Sequence, residues 1–239
     1  MKTLAADVHI HTCLSPCAED EMAPSMIVTR ALEAGLDLIA ICDHNSAENA
    51  ASVARAAEGT GLAVVPGMEI TSREEVHVVA LFRDDDGARA VQEIVYQHLD
   101  GENDPETFGE QLVMSDKDQV LRRNSRLLIG ATNLSLEAVV RAIHDAGGIA
   151  IAAHVDRPSF SVVSQLGFIP AGVAFDAAEV CGEDLSAVPE ELPVIRSSDA
   201  HRLEEIGYRR TGLVVEEGIA AEIQMALKAA EGRKIAKTD

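Results

Sequence analysis

The chemistry of this chain is concentrated in Asp7-Val8-His9-Ile10-His11. Side chains alternate along a strand, so His9 and His11 share one face and can grip one metal ion, while Val8 and Ile10 pack behind them. Such a pair asks for partners. Asp43-His44, Glu69, His77, His154 and Ser198-Asp199-Ala200-His201 supply them, each beside an apolar run. Six of the eight histidines therefore lie at the ends of predicted strands. His98 and His144 fall on predicted helices and are read as structural.

Apolar β-rich runs alternate with segments of helical period, the pattern of a parallel sheet with crossover helices. Strands are predicted near residues 5–10, 36–42, 62–65, 76–82, 149–153, 172–180, 193–196 and 212–215. Helices are predicted over 26–34, over 47–58 behind a cap at Ser46, over 136–146 behind Ser135, and over about 219–231. Site residues standing at the carboxyl ends of many strands favour a closed barrel over an open sheet. His77 is irregular because it starts a strand, which means either that this strand runs the other way or that the barrel is distorted.

The 239 residues suit one α/β domain, and no Gly/Ser/Pro-rich linker divides them. With 3% aromatic residues and no Trp, the core is built from Ala, Val, Leu and Ile, which favours close helix-on-sheet packing. A net charge of −20 argues against an extended nucleic-acid surface, which needs clustered Lys and Arg. It leaves small phosphate compounds open, since bound cations dominate the local field of a site. The amino terminus does not read as a signal peptide and no run is long enough to span a bilayer, so no membrane association is expected. Cys13, Cys17, Cys42 and Cys181 form no C-x-x-C pair or disulfide framework, and a reducing, cytoplasmic setting is expected.

Residues 84–133 stand outside the βα pattern. An acidic turn at Asp84-Asp85-Asp86, a helix over about 88–99, a polar loop and Leu121-Arg122-Arg123-Asn124-Ser125-Arg126 are too long for a simple connection. The arginines, with Lys117, read either as the solvated face of an inserted helical segment or as a lid that steers phosphate groups.

Taken together, Asp7-Val8-His9-Ile10-His11-Thr12, Ile41-Cys42-Asp43-His44-Asn45, Pro66-Gly67-Met68-Glu69-Ile70-Thr71, Ala153-His154 and Ser198-Asp199-Ala200-His201 resemble the PHP superfamily of polymerase and histidinol phosphatase domains. The resemblance covers nearly the whole chain. It implies a single-domain distorted (β/α)7 barrel, two or three divalent metals and hydrolysis of phosphate esters. It also implies that His9, His11, Glu69 and Asp199 hold one metal, that Glu69 bridges to a second held by His77 and His154, and that His44 and His201 hold a third. Where many members carry another histidine, this chain reads Ser15-Pro16-Cys17-Ala18-Glu19-Asp20, leaving Cys17, Glu19 or Asp20 as a further ligand, or a partial third site. Imidazole and carboxylate donors suit Zn, Mn or Fe.

The expected reaction is attack on phosphorus by a hydroxide shared between two metals, with Glu69 bridging and with Asp199 or His201 near the leaving oxygen. Asp7 and Asp43 are expected to accept hydrogen bonds from ligating histidines, with Thr12 and Asn45 in similar orienting parts. Arg157, three residues past His154, is the first candidate for holding substrate phosphate, followed by Arg202 and Arg73. The substrate expected is a small phosphomonoester, with a nucleotide-derived ester left open. The alternatives are a phosphodiesterase or exonuclease acting on short oligonucleotide ends, an amidohydrolase-like C–N hydrolase, and a non-catalytic PHP-like binding module. The absence of a lysine at a strand end disfavours the amidohydrolase reading.

Overall fold

The computed structural model describes residues 1–236. In chain order the elements are β1 (Lys2–Ile10), α1 (Pro24–Glu33), β2 (Leu38–Ile41), α2 (Ala50–Ala56), β3 (Ala63–Thr71), β4 (His77–Leu81), α3 (Asp85–Gln97), α4 (Pro105–Phe108), β5 (Leu112–Met114), β6 (Val120–Arg123), α5 (Leu136–Asp145), β7 (Ile149–Ala152), α6 (Val162–Leu166), β8 (Ala177–Glu179), β9 (Val194–Ile195), β10 (Thr211–Val215), α7 (Ala220–Leu227) and β11 (Lys234–Ile235).

Seven strands form the barrel wall in the order β1-β2-β3-β4-β7-β8-β9. Beyond β9 the chain returns to β1 through a parallel bridge between Ile10 and Ala200, which nearly closes the cylinder at its carboxyl end. β10 and β11 continue the sheet on the other side, with β10 antiparallel to the amino half of β1. β4 is antiparallel to both its neighbours. Only residues 72–76 join it to β3, far fewer than a parallel crossover needs. The reversal explains the irregular histidine: Thr71 pairs with His77, so the start of β4 lies at the same end as the finish of β3.

A bulge aims the first histidine pair. Ala6 and Asp7 pair with Leu38 and Ile39, but the next partners are Ile10 and Ile41, so β1 carries one residue more than β2 across this stretch. Leu4, Ala6 and Val8 pack in the barrel interior with alternate residues of β2, β4 and β7. After the bulge the faces exchange, and Ile10 packs outward with Ile27, Ala31 and Val53 of α1 and α2. Val8 and Ile10 therefore do not share one apolar face, as plain alternation predicts. The extra residue is what lets a strand with Val8 in the core carry His9 and His11 into the barrel mouth.

Helices cover the outside. α5 buries Leu136, Val139, Val140 and Ile143 at helical spacing, and Ser135 caps it by accepting the Ala138 N–H. The same cluster takes in α3 and the outer faces of β3, β4 and β7. α7 closes the interior from the other end with Ile223, Ala226 and Leu227. Among the described residues no helix is long and apolar enough to cross a membrane.

Several stretches differ from the sequence-based expectation: the strand read over 172–180 is only Ala177–Glu179, the one read over 62–65 runs on to Thr71, and the last helix ends at Leu227. α2 starts at Ala50 rather than at residue 47, because Ser46 bonds Tyr96 and Gln92 instead of capping, and Asn49 bonds Thr12, Leu112 and Met114. In the insertion, α3 forms behind the Asp84 cap, but Val120–Arg123 is a strand paired with β5. Residues 112–123 thus make a hairpin, and the arginines lie on and beside it. Arg122 pairs with Glu48, Arg123 with Glu110 at 2.7 Å, and Arg126 lies over the Tyr96 ring.

Gly67, two residues before Glu69, lets β3 lie close against β2 and β4. A Cβ there would stand 2.7 Å from the Ala80 carbonyl and 2.9 Å from Cys42 Sγ. Gly67→Ala is expected to lose about 1–3 kcal/mol, the usual cost of overpacking, measured by denaturant unfolding. An unchanged midpoint would show that the sheet relaxes there freely.

Candidate metal centre

Strand ends bring the candidates together. His9 lies on β1 and His11 just past it, His44 follows β2, Glu69 lies near the end of β3, His77 begins β4, His154 follows β7, and Asp199 and His201 follow β9. The Glu69 carboxylate sits among them. Its Oε1 lies 2.8 Å from His77 Nδ1, 3.2 Å from His154 Nε2 and 3.5 Å from His9 Nε2. Its Oε2 lies 3.0 Å from His44 Nδ1 and 3.5 Å from His11 Nε2. Asp199 Oδ1 completes the floor, 3.0 Å from His11 Nε2 and 3.3 Å from His9 Nε2. Donor atoms converge in three groups: His9, His11, Glu69 and Asp199; His44, Glu69 and His77; and His11, His44 and His201.

Neighbouring groups decide which ring nitrogens face inward. His9 Nδ1 lies 3.0 Å from Glu179 Oε2, and an ionised carboxylate only accepts, so Nδ1 carries the proton and Nε2 faces Glu69 and Asp199. Ser15 Oγ donates to Asp43 Oδ1 at 2.8 Å and so accepts from His11 Nδ1 at 2.9 Å. His201 Nδ1 donates to the Asp199 carbonyl at 2.9 Å. Each arrangement leaves Nε2 as a lone-pair donor, the condition for binding a cation.

Several sequence expectations take other partners. Asp43 reaches His11 only through Ser15, and also accepts from Thr12 N and Oγ1. Asp7 meets no histidine nitrogen. It accepts from Ser198 N and Gly207 N, both at 2.9 Å, and so braces the turn that carries Asp199. Burial pushes the Asp7 carboxyl up to about 6 despite these bonds. Asn45 donates to the Leu128 and Gly130 carbonyls and accepts from Thr71 N, which ties the insertion to the loop after β2.

Arg157 reaches the site, where its Nη1 pairs with Asp199 Oδ2. Arg202 does not: it is 57% exposed and pairs with Glu19 at 3.2 Å. Arg73 is exposed and pairs with Glu74. Of the three residues considered after the first histidine pair, Cys17 shares a cavity with His44 and His201. Cys17 is exposed at the cavity mouth; its partial desolvation would raise the thiol, but the adjoining His201 and His44 rings outweigh this and bring it down to about 6. His98 and His144 stand apart, bonded to the Ile94 carbonyl and to Asp176.

Glu179 is the residue that sequence reasoning missed. It is buried at the end of β8, with Oε2 on His9 Nδ1 and on His154 N. The signal was present, a carboxylate closing an apolar strand, which is the same rule that singled out Glu69. Ser15 carried no comparable mark.

The chemistry of the donors tests whether a cation fits. Glu69 and Glu179 are 1% exposed and Asp199 6%, and of the three only Asp199 is paired with a guanidinium, that of Arg157. Burial alone would raise the Glu69 pKa, but the surrounding His77, His9, His154 and His44 rings hold it well below the usual carboxylate range. His44 Nδ1 and His77 Nδ1 lie close to Glu69 without forming a hydrogen bond to it, and His154 Nδ1 is buried without any partner. Buried carboxylates facing unpartnered imidazole lone pairs are a poor arrangement for protein alone and a good one for divalent cations. The chain also holds Asn45, His154, Phe160 and Asp199 at positive φ around this mouth. Such backbone costs about 1–3 kcal/mol per residue and persists where surrounding structure imposes it.

A family model of the PHP domain matches residues 7–180, which carry most of these groups. The chain belongs to the PHP domain family. No curated protein matches it by sequence. Among solved structures, this PHP domain is similar to the lesion-specific endonuclease PfuEndoQ of Pyrococcus furiosus, with 19% identity and a TM-score of 0.77 over 98% of this chain and 58% of that one. An endonuclease Q bound to a 27-mer duplex with an abasic lesion gives 18% identity, a TM-score of 0.75 and the same coverages. A Bifidobacterium adolescentis protein assigned as a metal-dependent phosphoesterase gives 21% identity and a TM-score of 0.53 over 82% of this chain and 87% of that one. These likenesses establish the barrel. The chain spans 58% of the length of the endonuclease chains it matches.

If Glu179 and Ser15 set the ring orientations, Glu179→Ala and Ser15→Ala should each weaken divalent-metal binding by about 10–100-fold in calorimetric titration, with the folded circular dichroism spectrum retained. Unchanged affinity in both variants would refute that role.

Proposed function

We propose that this PHP domain is a metal-dependent phosphoesterase acting on a small phosphorylated substrate, with a phosphomonoester preferred. The observation that carries the reading is the single buried carboxylate of Glu69 shared among five imidazoles beneath an open cavity of about 230 Å³. His9, His11, Glu69 and Asp199 would hold one ion, and Glu69 with His77 and the adjoining His44 and His154 a second. His44 and His201, with Cys17 beside them, form a third position. Nitrogen and oxygen donors suit Zn, Mn or Fe, and a thiol at the third position favours Zn or Fe there. When bound, such ions supply Lewis acidity to phosphoryl oxygens and lower the pKa of water.

The chain's own groups do the rest. Asp199 faces the donor cluster with Oδ1 and holds Arg157 with Oδ2, so one carboxylate orients the guanidinium over the place where a phosphate must sit. Phe160 stacks on the His77 ring at 4.8 Å, and its carbonyl accepts the His77 N–H at 2.8 Å. With Ile129 from the insertion, it gives the cavity an apolar rim that limits water. The insertion acts in this reading as a fixed wall, anchored through Asn45 and Asn49, since none of Arg122, Arg123 and Arg126 lines the cavity. His201 keeps Nε2 toward the cavity, near the position of a leaving oxygen.

A phosphodiester reading draws support from the endonuclease likeness. Against it stand the net charge of −20 and the pairing of the insertion's arginines with Glu48 and Glu110. The test is Mn-supplemented hydrolysis of phenyl phosphate beside diphenyl phosphate, with wild type and His9→Ala. Phosphate release from the monoester, abolished by His9→Ala or by chelation, is the expected result. Cleavage of the diester alone would establish a phosphodiesterase, and no turnover of either would sink the reading.

A further inference from the structure

The metal cavity has a larger neighbour. A chamber of about 540 Å³ opens on the other side of Arg157, Asp199 and His201, which line both spaces. Its remaining wall includes Tyr208, Arg209, Glu204 and Glu205. A phosphate group held by Arg157 needs only the smaller cavity. Nothing in the proposed reaction uses the larger one, yet it adjoins the reacting position.

Two of its residues are poorly explained by folding alone. Tyr208 is 78% exposed, an uncommon setting for an aromatic side chain in a protein with 3% aromatic residues. Arg209 is half-buried, and its Nε donates to the Cys181 carbonyl at 2.8 Å, which fixes the direction of the guanidinium. Its guanidinium carbon lies 5.3 Å from the centre of the Tyr208 ring. Among the described residues, Arg209 makes no ion pair, whereas Arg122, Arg123, Arg202 and Arg233 all do. Its terminal nitrogens thus have a fixed bearing and no carboxylate partner. The chamber's own acids do not supply one: Glu205 Oε2 accepts from His201 N and Arg202 N, and Glu204 lies exposed.

We propose that the larger chamber receives the remainder of the substrate and selects an ester that carries a flat ring, laid on Tyr208, and a second anionic group, taken by Arg209. The inference rests on the phosphoesterase reading, which places the reacting phosphate at the metal cavity. A guanidinium with two free nitrogens suits a planar carboxylate or a phosphate in a bidentate fork, and the exposed ring face suits stacking. Arg157 and Arg209 then hold the two ends of one doubly anionic molecule, with Asp199 and His201 between them.

The test compares kcat/KM of the Mn-loaded full chain on phenyl phosphate, 4-carboxyphenyl phosphate, 1,4-phenylene bisphosphate and 4-carboxybutyl phosphate. Wild type is expected to favour the two doubly anionic aryl esters over phenyl phosphate by about tenfold, the factor that 1.4 kcal/mol of contact gives. The carboxylate and phosphate arms show which second anion is preferred. R209M should erase that preference while leaving phenyl phosphate turnover unchanged, and Tyr208→Leu should lower the aryl esters against the butyl ester by about threefold or more. R202M, outside both chambers, serves as the control. Equal rates on all four esters, or an equal loss on all four in R209M, would overturn the proposal and leave the phosphoesterase standing. If no ester is turned over, the functional reading fails. Calorimetry with benzylphosphonate and 4-carboxybenzylphosphonate then decides the chamber separately: tighter binding of the carboxylated compound, lost in R209M, supports it, and equal binding overturns it.

Discussion

Everything in the mouth of this barrel is arranged around one buried carboxylate. Glu69 is 1% exposed and has five imidazoles within 3.5 Å, a surplus of donors over what one side chain can satisfy by hydrogen bonding. Burying that charge is costly unless positive charge is supplied close by. The remaining structure serves to hold lone pairs toward this point. Glu179 turns His9, Ser15 turns His11, and the Asp199 carbonyl turns His201.

Three departures from regular barrel geometry make the convergence possible. The extra residue in β1 exchanges its faces between Val8 and Ile10. The short link between β3 and β4 reverses a strand, so a histidine at its start joins a glutamate near its neighbour's end. The chain also bends through positive φ at His154 and Asp199 as it leaves its strands. Regular alternation and parallel order would have left His77 at the far end of the barrel.

The insertion shows how sequence and structure can disagree about the same residues. Its arginines read as a basic cluster because they are close in sequence. In the fold each finds its own partner, with Arg122 on Glu48, Arg123 on Glu110 and Arg126 on Tyr96. Arg209, half-buried beside the site and without a carboxylate, lies outside the stretch where the sequence is most basic. What counts at a binding surface is the charge that remains after pairing, and pairing is a tertiary property.

The sequence by itself determined the fold class, the family, the strand-end histidines and the carboxylates Glu69 and Asp199, because strand period, helix stops and His-x-His spacing are local patterns that survive without coordinates. Even the irregularity of His77 was legible. Only the tertiary structure decided which ring nitrogens face inward, that Asp7 braces a backbone turn rather than a histidine, that Glu179 belongs to the site, and that Arg202 does not. Those outcomes depend on contacts between residues far apart in the chain, such as His9 with Glu179 and Asp7 with Ser198. Spacing along a strand reports the direction of a side chain, whereas its partner is set by how strands from opposite ends of the chain close into a barrel.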